Sequence, residues 1–173
     1  GGVHVERPVE RRRPGVQGLE PEGDRLVTET VERALGDPSF RVRQAALRVA
    51  LKALKPMLED HGLVGMVEPL GFEICALRHK AEAVEAIDAL GAKGRFKLVH
   101  DTFHHTLAHG GPYFPEHTGI IHISGVTDPT VSLAEMSDAH RVLVTEGDRL
   151  GNIAQIADLA AMGWSGPVSF EDR

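Results

Sequence analysis

One cysteine, one tryptophan and one tyrosine occur in 173 residues, and aromatics make up only 5% of the chain. The lone Cys75 cannot form an intramolecular disulfide, which fits a reducing cytoplasm. No apolar run approaches the roughly 18 residues that span a bilayer, so no membrane-crossing helix is expected, and no signal-peptide pattern is visible. An excess of positive charge is lacking too. Nineteen Lys and Arg face 25 Asp and Glu, for a net charge of -6, which argues against a general nucleic-acid binder. No repeat of fixed period is evident. What is present is ordinary for a one-domain globular chain: 42% apolar and 25% charged residues. Histidine is the exception. There are ten, and seven of them lie between His100 and His140.

Residues 1–39 mix Arg, Glu, Pro and Gly with no sustained period of 2 or 3.6, and are expected to form a poorly structured arm. A short helix from about Leu26 to Leu35, stopped by Gly36, is the one local signal there. From Phe40 the pattern becomes helical, with Val42, Ala46, Val49, Ala53 and Met57 on one stripe and Arg43, Arg48, Lys52 and Lys55 largely opposite. His61-Gly62 should end this helix. LVGMVEPLGF then reads as a buried strand, HKAEAVEAIDALG as a helix closed by Gly91, and FKLVHDTF as a second strand. HHTLAHGGPYFPEHTG looks like a loop with one helical turn around Phe114–His117. GIIHISG is a third strand. A long connection leads to the helix NIAQIADLAAMG, and PVSFE is the last strand. Strands alternating with helices predict parallel βαβ units, and the nearly all-apolar strands suit a sheet covered on both faces.

Each strand ends in a group that can bind a divalent metal: Glu68, Asp101, His122 and Glu171. They are separated by 33, 21 and 49 residues, against about 30 for a βαβ unit, so the third connection carries an insertion on the side where such insertions shape a site. Each residue has a plainer reading: a salt-bridged Glu68, an N-capping Asp101, a core His122 and a solvated Glu171. Four in succession at one sheet edge are harder to explain that way. In parallel α/β folds the C-terminal strand edge is where active sites form. Three carboxylates and an imidazole favour Mn²⁺, Mg²⁺ or Co²⁺, admit Zn²⁺ and exclude a thiolate site. Two glutamates flanking one metal could take and return a proton at carbon. His100 should point away from Asp101, Cys75 reads as a buried structural thiol, and Trp164 as core.

The motifs E-P-L-G-F-E, D-T-F-H, I-I-H-I and V-S-F-E resemble those of the xylose isomerase-like TIM-barrel superfamily, from about Gln44 to Glu171. The resemblance implies an α/β fold in which residues 40–173 form the C-terminal half, strands five to eight, of a (β/α)8 barrel. It implies that Glu68, Asp101, His122 and Glu171 are metal ligands and that Glu68 and Glu171 are also the catalytic acid–base pair. His104 and Arg141 would bind substrate, and Glu73 would match the second strand-five Glu, one residue closer than usual. The implied activity is isomerisation or epimerisation of a sugar or inosose. The alternatives are a non-catalytic metal-binding half-barrel and an endonuclease acting at abasic sites, the latter disfavoured by charge and by the lack of further histidine ligands.

Only four strands are legible where a whole barrel has eight and about 250 residues. The start at Gly1 and the end two residues past Glu171 lead us to expect a fragment of a longer enzyme. Unpaired lateral strands would then favour a homo-oligomer.

Overall fold

A computed structural model describes residues 29–31, 33, 34, 36 and 39–171. Most of the expected arm, and the start of its short helix, lie outside the described residues; residues 29–31, 33 and 34 are helical.

Helix α1 spans Phe40–Asp60 and stops at His61 and the left-handed Gly62, as the composition of that end implies. Of the predicted stripe only Ala46 is buried. Val49 and Met57 remain exposed, while Gln44, Ala46 and Leu51 are buried. The helix is apolar on more than one side, and packing selects the side carrying Leu47, Leu51 and Leu58. These meet Ala83, Val84, Ala86 and Ile87 of α2 (Lys80–Ala89) and Phe96 and Leu98 of β2. Gln44 Nε2 donates to the Glu82 carbonyl within this contact, which satisfies the amide nitrogen while its Oε1 stays buried without a partner.

Four short strands follow in chain order: β1 (Gly65–Val67), β2 (Phe96–Asp101), β3 (Thr118–Ile123) and β4 (Val168–Phe170). They form one parallel sheet in the order β1-β2-β3-β4. β1 is shorter and less buried than LVGMVEPLGF suggested. Leu63 and Val64 belong to the exposed turn after α1, and the chain leaves the ladder at Glu68-Pro69, where proline has no N–H to donate. β4, at the edge of the sheet, is exposed along its length.

The stretch after β2 opens with a helix, and only from Ala108 is it the predicted loop. Helix α3 (Thr102–Leu107) starts directly at the strand end, with Asp101 as its N-cap. The long crossover 124–151 contains two short 3₁₀ turns, Leu133–Glu135 and Asp138–His140, before α4 (Asn152–Ala161). Asp148 and Asn152 organise it. The Asp148 carboxylate accepts from the backbone N–H groups of Val126, Leu150 and Asn152, and buried Asn152 donates to Ser124 and accepts from Thr102. A second apolar cluster of Phe103, Leu107, Val126, Met136 and Leu150 seats this crossover on α3. The arrangement is four consecutive β/α units of a parallel barrel, with its C-terminal edge built by β1–β4 and capped by the crossover.

Candidate active site

Sheet register places the four strand-end groups together. Asp101 pairs with His122 across β2 and β3, and His122 pairs with Ser169 of β4, two residues before Glu171. Glu68 follows β1 directly. One ligand atom from each of Glu68, Asp101, His122 and Glu171 lies within 4.8 Å of the others. His122 Nδ1 is 2.8 Å from Glu171 Oε2 and 3.5 Å from Glu68 Oε1.

Asp101 is the N-cap that the sequence allowed, and its second oxygen faces the cluster. Its Oδ1 accepts the His104 N–H at 2.9 Å and caps α3, while Oδ2 accepts from Arg141 Nη2 at 2.7 Å. Burial raises its pKa to about 6, against the pull of Arg141 and the capping N–H. Glu68 is raised further, to about 7, first by burial and then by the negative charges of Glu171 and Asp101. Glu171 goes the other way. Burial opposes the shift, but Asp101, the Arg141 guanidinium and His122 together hold its carboxyl below the usual range.

Fully ionised, the three carboxylates set against one guanidinium would leave the cluster two charges negative, and Glu68 Oε1 is buried without a hydrogen-bond partner. Buried polar atoms are seldom left so unless something else satisfies them. An oxygen-rich set with one imidazole nitrogen, short of about two positive charges, fits a divalent cation.

Arg141, distant in sequence from His122, reaches the cluster because the crossover folds back. An antiparallel bridge joins Gly125 to Val142, and the Arg141 side chain extends from there to Asp101 and Glu171. Its supports, Ser124 and Asp138, were not singled out from the sequence; nothing local marks a serine that accepts from an arginine 17 residues away. His104 is buried beside Phe72 and Phe103, with Nδ1 lacking a partner, and burial followed by the Arg141 charge lowers its pKa to about 4.

Other expectations land elsewhere. Glu73 is exposed and does not join the cluster; with Phe72, Arg78, His109 and Met136 it lines a separate cavity of about 300 Å³. His100 does point away from Asp101, onto Lys80 and Gln155, and His105 and Tyr113 pack on its ring. Tyr113 therefore serves the helix layer rather than the site. His140 closes its 3₁₀ turn against Ser137. Cys75 is half-buried rather than buried, and Trp164 is half-buried, its indole N–H donating to the Thr118 carbonyl.

Residues 23–173 match the sequence profile of the xylose isomerase-like TIM barrel. The chain belongs to that family. Among solved structures, a xylose isomerase domain containing protein from Salmonella typhimurium LT2 is 28% identical, with a TM-score of 0.68; the similarity covers 87% of this chain and 59% of that one. The IolI protein, solved with a bound zinc atom, is 17% identical with a TM-score of 0.71, over 89% of this chain and 63% of that one. A 3-keto-D-glucoside 4-epimerase from E. coli is 17% identical with a TM-score of 0.54, over 79% and 49%. The last two identities show the fold alone. The chain spans about three fifths of the length of the first two relatives. No curated protein matches it in sequence. Among the described residues no helix is long and apolar enough to cross a membrane.

Proposed function

We propose that the cluster is the metal and proton-transfer site of a sugar or cyclitol isomerase or epimerase, moving a proton at carbon next to a carbonyl. The observation that carries the reading is the entry of two glutamates, Glu68 and Glu171, from the two outer strands into one cluster around Asp101 and His122. Carboxylates placed on either side of a substrate carbon can remove a proton from one face and return it from the other, or return it to the neighbouring carbon. A bound Mn²⁺, Mg²⁺, Co²⁺ or Zn²⁺ would polarise the substrate oxygens and favour the enolate. Glu68, Asp101, His122 and Glu171 would hold the ion. Buried His104 and the Arg141 guanidinium lie at the same mouth and would orient substrate oxygens. The bound zinc of the IolI protein and the epimerase activity named for a second relative support this class.

The test follows deuterium uptake from D₂O into candidate ketoses and inososes, with Mn²⁺ present. Glu171→Gln should abolish uptake and weaken metal binding, and uptake at the wild-type rate would sink the assignment. A second reading, metal binding without turnover, is favoured by the sheet's four strands, whose outer edges are unpaired among the described residues. It predicts metal binding with no deuterium uptake by this chain. Self-association through those edges belongs to the same reading, and sedimentation equilibrium measures it.

A further inference from the structure

Arg141 makes contacts that the proton-transfer reading leaves unused. It is buried on the crossover 124–151. Its Nε donates to Ser124 Oγ at 3.0 Å and its Nη1 to Asp138 Oδ1 at 3.4 Å, which ties the guanidinium to the crossover and to the end of β3. Its Nη2 donates to Asp101 Oδ2 at 2.7 Å and to Glu171 Oε2 at 3.2 Å. The same nitrogen thus holds two of the four groups able to ligate an ion, and the guanidinium stacks over Phe103 with 5.0 Å to the ring centroid. One side chain therefore docks the crossover and offsets part of the negative charge of the cluster.

An ion and this nitrogen would compete for the same oxygens. Asp101 has already committed Oδ1 to the α3 cap, and Glu171 Oε2 also faces His122 Nδ1, so few lone pairs remain for both cations. A guanidinium and a divalent ion a few ångströms apart also repel, and because Arg141 and Asp101 are buried while Glu68, His122 and Glu171 are half-buried, solvent screens that repulsion only in part.

We infer that Arg141 is the internal counter-cation of the ligand cluster, displaced from Asp101 and Glu171 when a divalent ion binds, so that ion binding loosens the crossover 124–151. The inference rests on the metal reading above. It implies an order of events: the ion enters first, and the released guanidinium is then available to a substrate oxygen. Linkage makes the coupling reciprocal, so removing Arg141 strengthens ion binding.

Mn²⁺ titration calorimetry on the 173-residue chain, Arg141→Met and Arg141→Lys, with amide hydrogen exchange over residues 124–151, tests this. In the wild type, exchange across 124–151 should rise on adding Mn²⁺. Arg141→Met should bind Mn²⁺ on the order of tenfold more tightly, within the span of such couplings, and its crossover should exchange fast with or without the ion. Arg141→Lys, which keeps the charge without the fork, should fall between. The wild-type exchange measurement needs no variant to fold. Mn²⁺ binding with unchanged or slowed exchange across 124–151 overturns the inference and leaves the metal reading standing. Absence of Mn²⁺ binding to the wild type at millimolar concentration overturns the metal reading and this inference with it.

Discussion

Lys80 should make the stability of this chain rise with pH through a range where most proteins lose it. It opens α2, is 9% exposed, and makes no ion pair with a carboxylate among the described residues. Its Nζ lies 2.7 Å from His100 Nδ1 and 5.1 Å from the centroid of the Tyr113 ring. His100 Nε2 lies 3.0 Å from Gln155 Oε1, which assigns the ring proton to Nε2 and leaves Nδ1 to accept from the amine. Burial lowers the Lys80 pKa from 10.5 to about 7. Between those values the unfolded chain holds the proton and the folded one does not, so stability increases with pH across that window and the penalty is full below it. A full proton difference is worth about 1.4 kcal/mol per pH unit, or about 2 kcal/mol between pH 7 and 9. Lys80→Met keeps the length of the side chain and removes the titration, while leaving His100 Nδ1 without a donor at a cost of roughly 1–2 kcal/mol that does not depend on pH in this window. Urea unfolding of both proteins at pH 7, 8 and 9, at fixed ionic strength, reads the difference. Wild type should gain about 2 kcal/mol on the variant from pH 7 to 9. Parallel stability curves would show that Lys80 is solvated or paired, and would refute the reasoning.

Three further outcomes follow from the packing. A Cβ at Gly71 would sit 2.1 Å from the His104 carbonyl and 2.8 Å from Leu107 Cβ, so Gly71→Ala should destabilise by about 1–3 kcal/mol in thermal unfolding and shift the loop that carries Glu68. Asn152→Ala removes the donor to the Ser124 carbonyl and the acceptor of Thr102 Oγ1, and should cost roughly 2–3 kcal/mol in urea while increasing proteolysis within the crossover. Glu68→Gln keeps the shape of the side chain but takes one charge from the ligand set, and should weaken Mn²⁺ binding by roughly tenfold or more in calorimetry.

The site was more legible than the surfaces around it, for a physical reason. A parallel strand must end at the same sheet edge as its neighbours, so a ligand-type residue closing each apolar run is enough to gather Glu68, Asp101, His122 and Glu171 without knowing the helices. The competing roles of Asp101 could not be separated in sequence because they are not exclusive: a carboxylate has two oxygens, and here one caps α3 while the other faces the cluster. The buried side of α1 was misread because apolar residues occupy several faces of that helix, and only the shape of α2 decides which face is used. Helix α3 has six residues, too few for a periodic signal, so the N-capping reading of Asp101 was the one sign of its start.

Arg141 marks the boundary of what pattern can reach. Its place depends on the Gly125–Val142 bridge, the Asp148–Asn152 network and the apolar cluster under Met136, each formed between residues too far apart to show a period. Yet that return is what brings a fixed positive charge to a cluster whose ligands otherwise repel one another, which lets Asp101 and Glu171 approach before any ion arrives. The insertion between His122 and Glu171 is therefore part of the electrostatics of the site, and a chain with the four strand ends but without the crossover should hold those ends further apart.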